Sequence, residues 1–251
     1  MTSIRHVSGS LISASWHLIQ RSRSERSQIL MYHSIGGQAD GDTRGLYSVQ
    51  PNQFLSQMKY LNALCTRSGL RVVPFSEEVS STVSITFDDG YSDNAINALP
   101  VLEKFEFPFH IFINPSLIQS GKEGFLTHDQ IRDLSSHPLV TLGVHGYSHQ
   151  PLTQLTDAEV SSELDQAKEW LADITGTVPS TLSYPHGAVN ERVVNVVRKC
   201  RFSRAACSKF GPISKSSSDF LLPRIDIWSS DSSRTFVSKL RGDWDWMKWR
   251  T

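Results

Sequence analysis

The chain has 251 residues, 39% of them hydrophobic, with 25 basic side chains against 25 acidic. That length fits one large α/β domain, or at most two smaller ones, with enough apolar material for a sizeable core. Balanced charge argues against a nucleic-acid binder, no apolar run approaches the ~18 residues of a membrane span, and Cys65, Cys200 and Cys207 form neither a disulfide framework nor a zinc knuckle.

In chain order, the first 27 residues are rich in Ser and Arg, with Ile12, Trp16 and Ile19 at helical spacing. They read as an N-terminal extension, 1–27, whose weak amphipathic helix packs on the domain or touches a membrane surface. No secretory signal is evident, so a cytoplasmic protein, peripheral to a membrane at most, is expected. A single domain is expected over 28–251. "QILMYHSI" (28–35) reads as a strand ending in a polar pair. "PNQFLSQMKYLNAL" then sets Phe54, Met58 and Leu61 on one helical face behind Pro51.

Val83, Ile85 and Phe87 alternate with Ser84 and Thr86, a short strand that runs into Asp88-Asp89-Gly90. Asp93 is placed to cap a helix carrying Ala95, Leu99 and Leu102. "FHIFI" (109–113) is a strand, and "THDQ" (127–130) is a capping box. "LVTLGV" (139–144) is a strand that leads into "HGYSH". "TDAE" (156–159) opens the clearest helix, with Val160, Leu164, Ala167 and Leu171 as its buried stripe and Gly176 with Pro179 at its end. "TLSYP" reads as a strand, "NERVVNVVRK" as a helix, "RAAC" and "LPRIDIW" as the last strands. The cysteines read as buried thiols, and His6, His17, His110, His128 and His137 as surface or cap positions. Trp244, Trp246 and Trp249 read as a packed tail.

Strands alternating with helices imply a parallel sheet, and at this length an open or closed β/α barrel. In such folds sites are built where strands end. Tyr32-His33, Asp88-Asp89, His145 with His149, and Tyr184-Pro185-His186 all fall there. Two imidazoles four residues apart can reach one ion, and one carboxylate added to them leaves a position open for water, as catalytic zinc requires. The neighbouring carboxylate is then free to take a proton from that water.

"TFDDG", H-x-x-x-H, "SYPHG" and "LPRIDIW", in this order, resemble the polysaccharide deacetylase superfamily, the family 4 carbohydrate esterases that share the NodB-homology domain. The likeness runs from residue 28 to near residue 230. It implies a distorted (β/α)7 barrel that removes acetyl groups from N-acetylated sugars with one divalent metal ion, zinc foremost, with cobalt or nickel as alternatives. By matching position, Asp88 is the base, Asp89, His145 and His149 are the metal ligands, and a backbone N–H near His186 helps hold the oxyanion. Tyr184 and Trp228 are offered as walls of a sugar subsite, or equally as core.

Three departures stand out. Gly146 replaces a Ser or Thr whose hydroxyl braces the loop, Ser183 replaces an arginine, and no Leu-x-His follows the last strand. "MYHSI" resembles the branch that deacetylates exopolysaccharide poly-N-acetylglucosamine, in which the barrel motifs are permuted and an N-terminal Tyr-His stands in for the missing histidine. By that likeness His33 is the acid, and Arg224 stands in for the arginine and orients Asp88. The expected activity is N-deacetylation of a glycan containing N-acetylhexosamine, an oligo- or polysaccharide of a bacterial surface. Two alternatives stay open: a glycan-binding barrel with weakened catalysis, and a phosphohydrolase with a second metal and phosphate-binding Arg or Lys.

Overall fold

Seven of the apolar runs pair in parallel and close on themselves. The structure, a computed structural model, describes residues 26–75 and 80–249. In chain order its strands are β1 (Gln28–Tyr32), β2 (Ser34–Ile35), β3 (Ser48–Val49), β4 (Arg71–Val72), β5 (Thr82–Phe87), β6 (Phe109–Ile113), β7 (Val140–Val144), β8 (Thr181–Ser183), β9 (Arg204–Phe210) and β10 (Leu222–Asp226). The ring runs β1-β5-β6-β7-β8-β9-β10 and closes where Leu30 lies level with both Ile85 and Ile225. The short β4 pairs with the start of β5, and β2 with β3 form a separate ribbon. This is the (β/α)7 barrel expected.

Helices α1 (Pro51–Ser68), α2 (Leu99–Lys104), α3 (Pro115–Gln119), α4 (His128–Ser135), α5 (Asp157–Thr175), α6 (Glu191–Lys199) and α7 (Ser233–Arg241) cover the outside. Local chemistry sets their ends. Thr127 with Gln130 and Thr156 with Glu159 each complete a reciprocal capping box, and Gly176 closes α5 in the left-handed conformation. The stripes of α1 (Phe54, Met58, Leu61) and α5 (Val160, Leu164, Ala167, Leu171) are buried as read from their spacing. None of the described helices is long and apolar enough to cross a membrane.

Five expectations need correction. Asp93 does not cap the helix after β5. Its carboxylate instead accepts from Ser34 Oγ (2.6 Å) and Gly37 N (3.0 Å), and the helix begins as a π turn over Asn94–Ala98. The strand at 28–35 is interrupted at His33, between β1 and β2. His110 is fully buried rather than at the surface: it lies between Phe75 and Phe112, its Nε2 is 2.8 Å from Thr181 Oγ1, and burial pushes it down to about 3. Both faces of a barrel strand are covered, one by the lumen and one by helices, so a polar residue in such a strand can point inward. Only Cys207 of the three thiols is buried. Of the tryptophans, Trp244 is buried, Trp246 stacks on it at 6.1 Å, and Trp249 is 74% exposed. Ile12, Trp16, Ile19, His6 and His17 lie outside the described residues.

Gly143 marks how tightly the lumen is filled. A Cβ there would fall 2.5 Å from Thr181 Oγ1, 2.6 Å from His110 Nε2 and 2.8 Å from Phe112 Cδ1. Gly143→Ala should therefore lower unfolding stability by about 1–3 kcal/mol, the usual cost of overpacking. A denaturant midpoint equal to that of the unsubstituted protein would show that the lumen has slack.

Candidate active site

The strand ends place His33 (β1), Asp88 and Asp89 (β5), His145 and His149 (β7), His186 (β8) and Asp226 (β10) around one cavity of about 400 Å³. The backbone is contorted where these groups converge. Asp89, His149 and His186 adopt left-handed φ values of 74°, 64° and 56°, and such backbone outliers cluster at functional sites. Gly90 continues the turn after the aspartates at φ 84°, where a side chain would also press on Ile113 and Ile118.

Asp89 Oδ1 lies 3.4 Å from His145 Nε2 and 3.2 Å from His149 Nε2. It is buried and completes no hydrogen bond, although both imidazoles are within reach. His145 Nδ1 is 2.8 Å from the Ser183 carbonyl. A carbonyl only accepts, so the proton sits on Nδ1 and the Nε2 lone pair faces Asp89. Burial pushes His145 down to about 4 against the pull of both aspartates, which keeps the ring neutral. Burial also pushes the Asp89 carboxyl up, but His149 and the other imidazoles override it and bring it to about 2. Two nitrogen donors and one oxygen, all within 4.8 Å of one another, thus converge without satisfying each other. That donor set fits a divalent cation.

Asp88 is engaged differently. Arg224, 1% exposed, donates from Nη1 to Asp88 Oδ1 at 2.8 Å and from Nη2 to Asp88 Oδ2 at 2.7 Å. Its other donors reach Thr86 Oγ1 (3.3 Å), Ser183 Oγ (2.9 Å) and the Cys207 carbonyl (3.1 Å). All five guanidinium N–H groups are therefore used. Burial pushes the Asp88 carboxyl up, and Arg224 with His145 outweighs it and holds the group well below the ordinary carboxylate range. Ser183, where an arginine was expected, is too short to pair with Asp88 by charge. It completes the pair by donating to Asp88 Oδ2 at 3.1 Å.

His33 sits on the turn between β1 and β2, which the segment after the aspartates grips. Asn94 Nδ2 donates to the His33 carbonyl at 2.8 Å and Asn97 Nδ2 to the Ile35 carbonyl at 2.6 Å, beside the two bonds of Asp93. The π turn brings Asn94 and Asn97 to this loop, a geometry that appears often at functional sites. The His33 ring packs on Tyr47 with centroids 4.5 Å apart. Asp226 was not singled out from the sequence, yet its partly buried carboxyl lines the same cavity. Burial raises its pKa, while Lys239 and His33 pull it down. Its one sequence signal is the strand-end position in "RID", two residues beyond Arg224.

The two aromatic candidates are placed otherwise. Tyr184 borders the cavity floor, but its ring is fully buried and its hydroxyl donates to the Phe220 carbonyl at 2.9 Å, so it offers no open face to a sugar. Trp228 does not line the cavity. It packs on Trp244 and lies under Lys239 Nζ at 3.9 Å. His186 does reach the cavity, and its Nε2 lies 2.9 Å from the His149 carbonyl. The brace expected to be missing at Gly146 is supplied from elsewhere: Glu163 Oε1 accepts from Tyr147 N, Ser148 N and Ser148 Oγ.

Comparison with known proteins agrees with this fold. The family model for polysaccharide deacetylase matches residues 76–205. YxkH of Bacillus subtilis, whose name places it with the polysaccharide deacetylases, is 27% identical over 224 residues, spanning 87% of this chain and 77% of that one. The poly-beta-1,6-N-acetyl-D-glucosamine N-deacetylase of Staphylococcus aureus is 24% identical over 216 residues, spanning 78% and 73%. A crystal structure from Bacillus anthracis, described under the same family name, superposes with a TM-score of 0.73 at 26% identity, covering 86% of this chain and 69% of that one. The family model spans just over half of the chain and includes Asp88, Asp89, His145, His149 and His186: the chain belongs to the polysaccharide deacetylase family.

Proposed function

We propose that this chain is a metal-dependent N-deacetylase acting on N-acetylhexosamine units of a glycan, with bacterial surface polysaccharide as the substrate class. The observation that carries this reading is the division between the adjacent aspartates. Asp89 faces the Nε2 atoms of two imidazoles, while Asp88 is held by Arg224. Asp89, His145 and His149 would hold the ion, and two imidazoles with one carboxylate suit zinc, with cobalt or nickel as alternatives. The name of the Staphylococcus aureus relative supports an N-acetylglucosamine polymer.

Arg224 keeps Asp88 charged and fixes its plane, and by the same attraction makes it a weak base. The proton it takes must then come from acidified water, and a divalent ion, when bound, supplies that acidity and polarises the acetamide carbonyl. Asp88 removes a proton from the attacking water. Gly187 N and Ala188 N donate to the Tyr184 and Pro185 carbonyls, so we assign the oxyanion to the N–H of His186, at the left-handed turn. The C–N bond breaks as His33 protonates the nitrogen, since an amide anion is a prohibitively poor leaving group. Acetate and a free amine result.

The phosphohydrolase alternative is disfavoured by the cavity walls. Among the described residues no Arg or Lys lines the cavity, whereas Asp40, Asp42 and Asp226 do, a setting that repels phosphate. A binding-only barrel is disfavoured because each departure from the family pattern has a partner in place: Glu163 beside Gly146, Arg224 beside Ser183, and His33 for the absent C-terminal histidine.

Acetate release from N-acetylglucosamine oligomers tests the reading. Stripping with a chelator should abolish release and stoichiometric zinc should restore it. A zinc-loaded protein that releases no acetate from any acetylated glycan would contradict the proposal. A second expectation concerns pH. Removing the guanidinium in Arg224→Met leaves burial to raise the pKa of Asp88, so the carboxylate is protonated at higher pH. The acidic limb of the kcat/KM profile should move to higher pH. An unmoved limb at full activity would remove Arg224 from the mechanism.

A further inference from the structure

The loop from His145 to His149 turns twice through left-handed backbone, at Gly146 (φ 64°) and at His149 (φ 64°). A histidine adopts that conformation only where its surroundings over-determine it. His145 is fixed through its own ring, by the Ser183 carbonyl. His149 is fixed through its backbone. Its carbonyl faces His186 Nε2 at 2.9 Å, and the two peptide N–H groups before its own, those of Tyr147 and Ser148, point at a single oxygen, Glu163 Oε1, at 2.8 and 2.6 Å. Ser148 Oγ donates to the same oxygen at 2.8 Å.

Three donors on one carboxylate oxygen, two of them successive peptide N–H groups, form a small anion nest filled by the protein's own side chain. Glu163 is well placed to be a fixed point. It lies on α5, whose Val160, Leu164 and Ala167 are buried in the core and whose first turn is locked by the Thr156–Glu159 box. Gly146 leaves room for the arrangement: a Cβ there would fall 2.9 Å from Pro185 Cγ and 3.3 Å from Glu163 Oε1. A side chain on this loop and the carboxylate beneath it therefore compete for one space.

We infer that Glu163 is a positioning residue that holds the 145–149 loop in the shape that aims His149 Nε2 at Asp89. The inference rests on the metal site proposed above. It adds that the geometry of this ligand depends on a helix outside the cavity.

Zinc titration of chelator-stripped protein, with unfolding curves of the same samples, tests it without reference to activity. Glu163→Ala should keep a cooperative unfolding transition and raise the zinc dissociation constant roughly 10–100-fold, the usual effect of losing a group that orients a ligand. Glu163→Gln, whose amide oxygen accepts the same donors without the charge, should fall between Glu163→Ala and the unsubstituted protein. Ser148→Ala removes one bond of three and should give a smaller rise. If Glu163→Ala fails to fold, the other two variants carry the test. A folded Glu163→Ala that binds zinc as tightly as the unsubstituted protein would overturn the inference, as would unchanged affinity in both Glu163→Gln and Ser148→Ala. An unsubstituted protein that binds none of zinc, cobalt or nickel would instead overturn the parent reading, and this inference with it.

Discussion

Arg224 reaches from β10 to Asp88 at the end of β5 through two hydrogen bonds, and spends its remaining donors on β5, β8 and β9. The pair is dry, with side-chain exposures of 0% and 3%. Removing either partner of such a pair strands a buried charge, at a cost of about 3–5 kcal/mol. One guanidinium therefore ties β5 to β8, β9 and β10 across the barrel and fixes the ionisation of one carboxylate. This constraint gives two adjacent aspartates different surroundings. Asp88 accepts three hydrogen bonds from Arg224 and Ser183, only one of them on Oδ1, and the left-handed turn at Asp89 swings its side chain toward the imidazoles.

The rest of the cavity follows from where that turn leaves the chain. Immediately after it, Asp93, Asn94 and Asn97 grip the β1–β2 connection, so the segment that presents the aspartates also positions His33. Across the cavity, His186 meets the His149 carbonyl and Glu163 holds the loop before it. Behind the last strand, Lys239 donates to the Asp226 carbonyl at 2.7 Å and pairs with Asp231, sealed under Trp228 and Trp244. The cavity lining is thus held from several sides by hydrogen bonds that stay away from the substrate space.

Much of this was legible in the sequence because local chemistry agreed with the fold. Both capping boxes, the buried stripes of α1 and α5, and the coincidence of polar clusters with strand ends needed only periodicity and turn residues. The pairing of Arg224 with Asp88, 136 residues apart, was expected from family resemblance, and the closed barrel supplies the contact. What was missed depends on which way a side chain points. His110 lies on a strand with both faces covered, so alternation could not assign it to the lumen. Asp93 had a cap signature, yet Ser34 and Gly37 compete for its carboxylate and win. Glu163 carries no spacing signal and Asp226 only its strand-end position, since both are placed by packing across the molecule. Trp228 had the right chemistry for a sugar, but tertiary packing faces it to Lys239.

The division of labour between Asp88 and Asp89 is tested most directly by metal stoichiometry in two single variants. Elemental analysis of purified Asp88→Asn should find close to one divalent ion per chain, because the substitution removes a base and no ligand. Asp89→Asn should carry almost none, because it removes the oxygen that faces both imidazoles. Equal retention or equal loss of metal in the two variants would contradict the account.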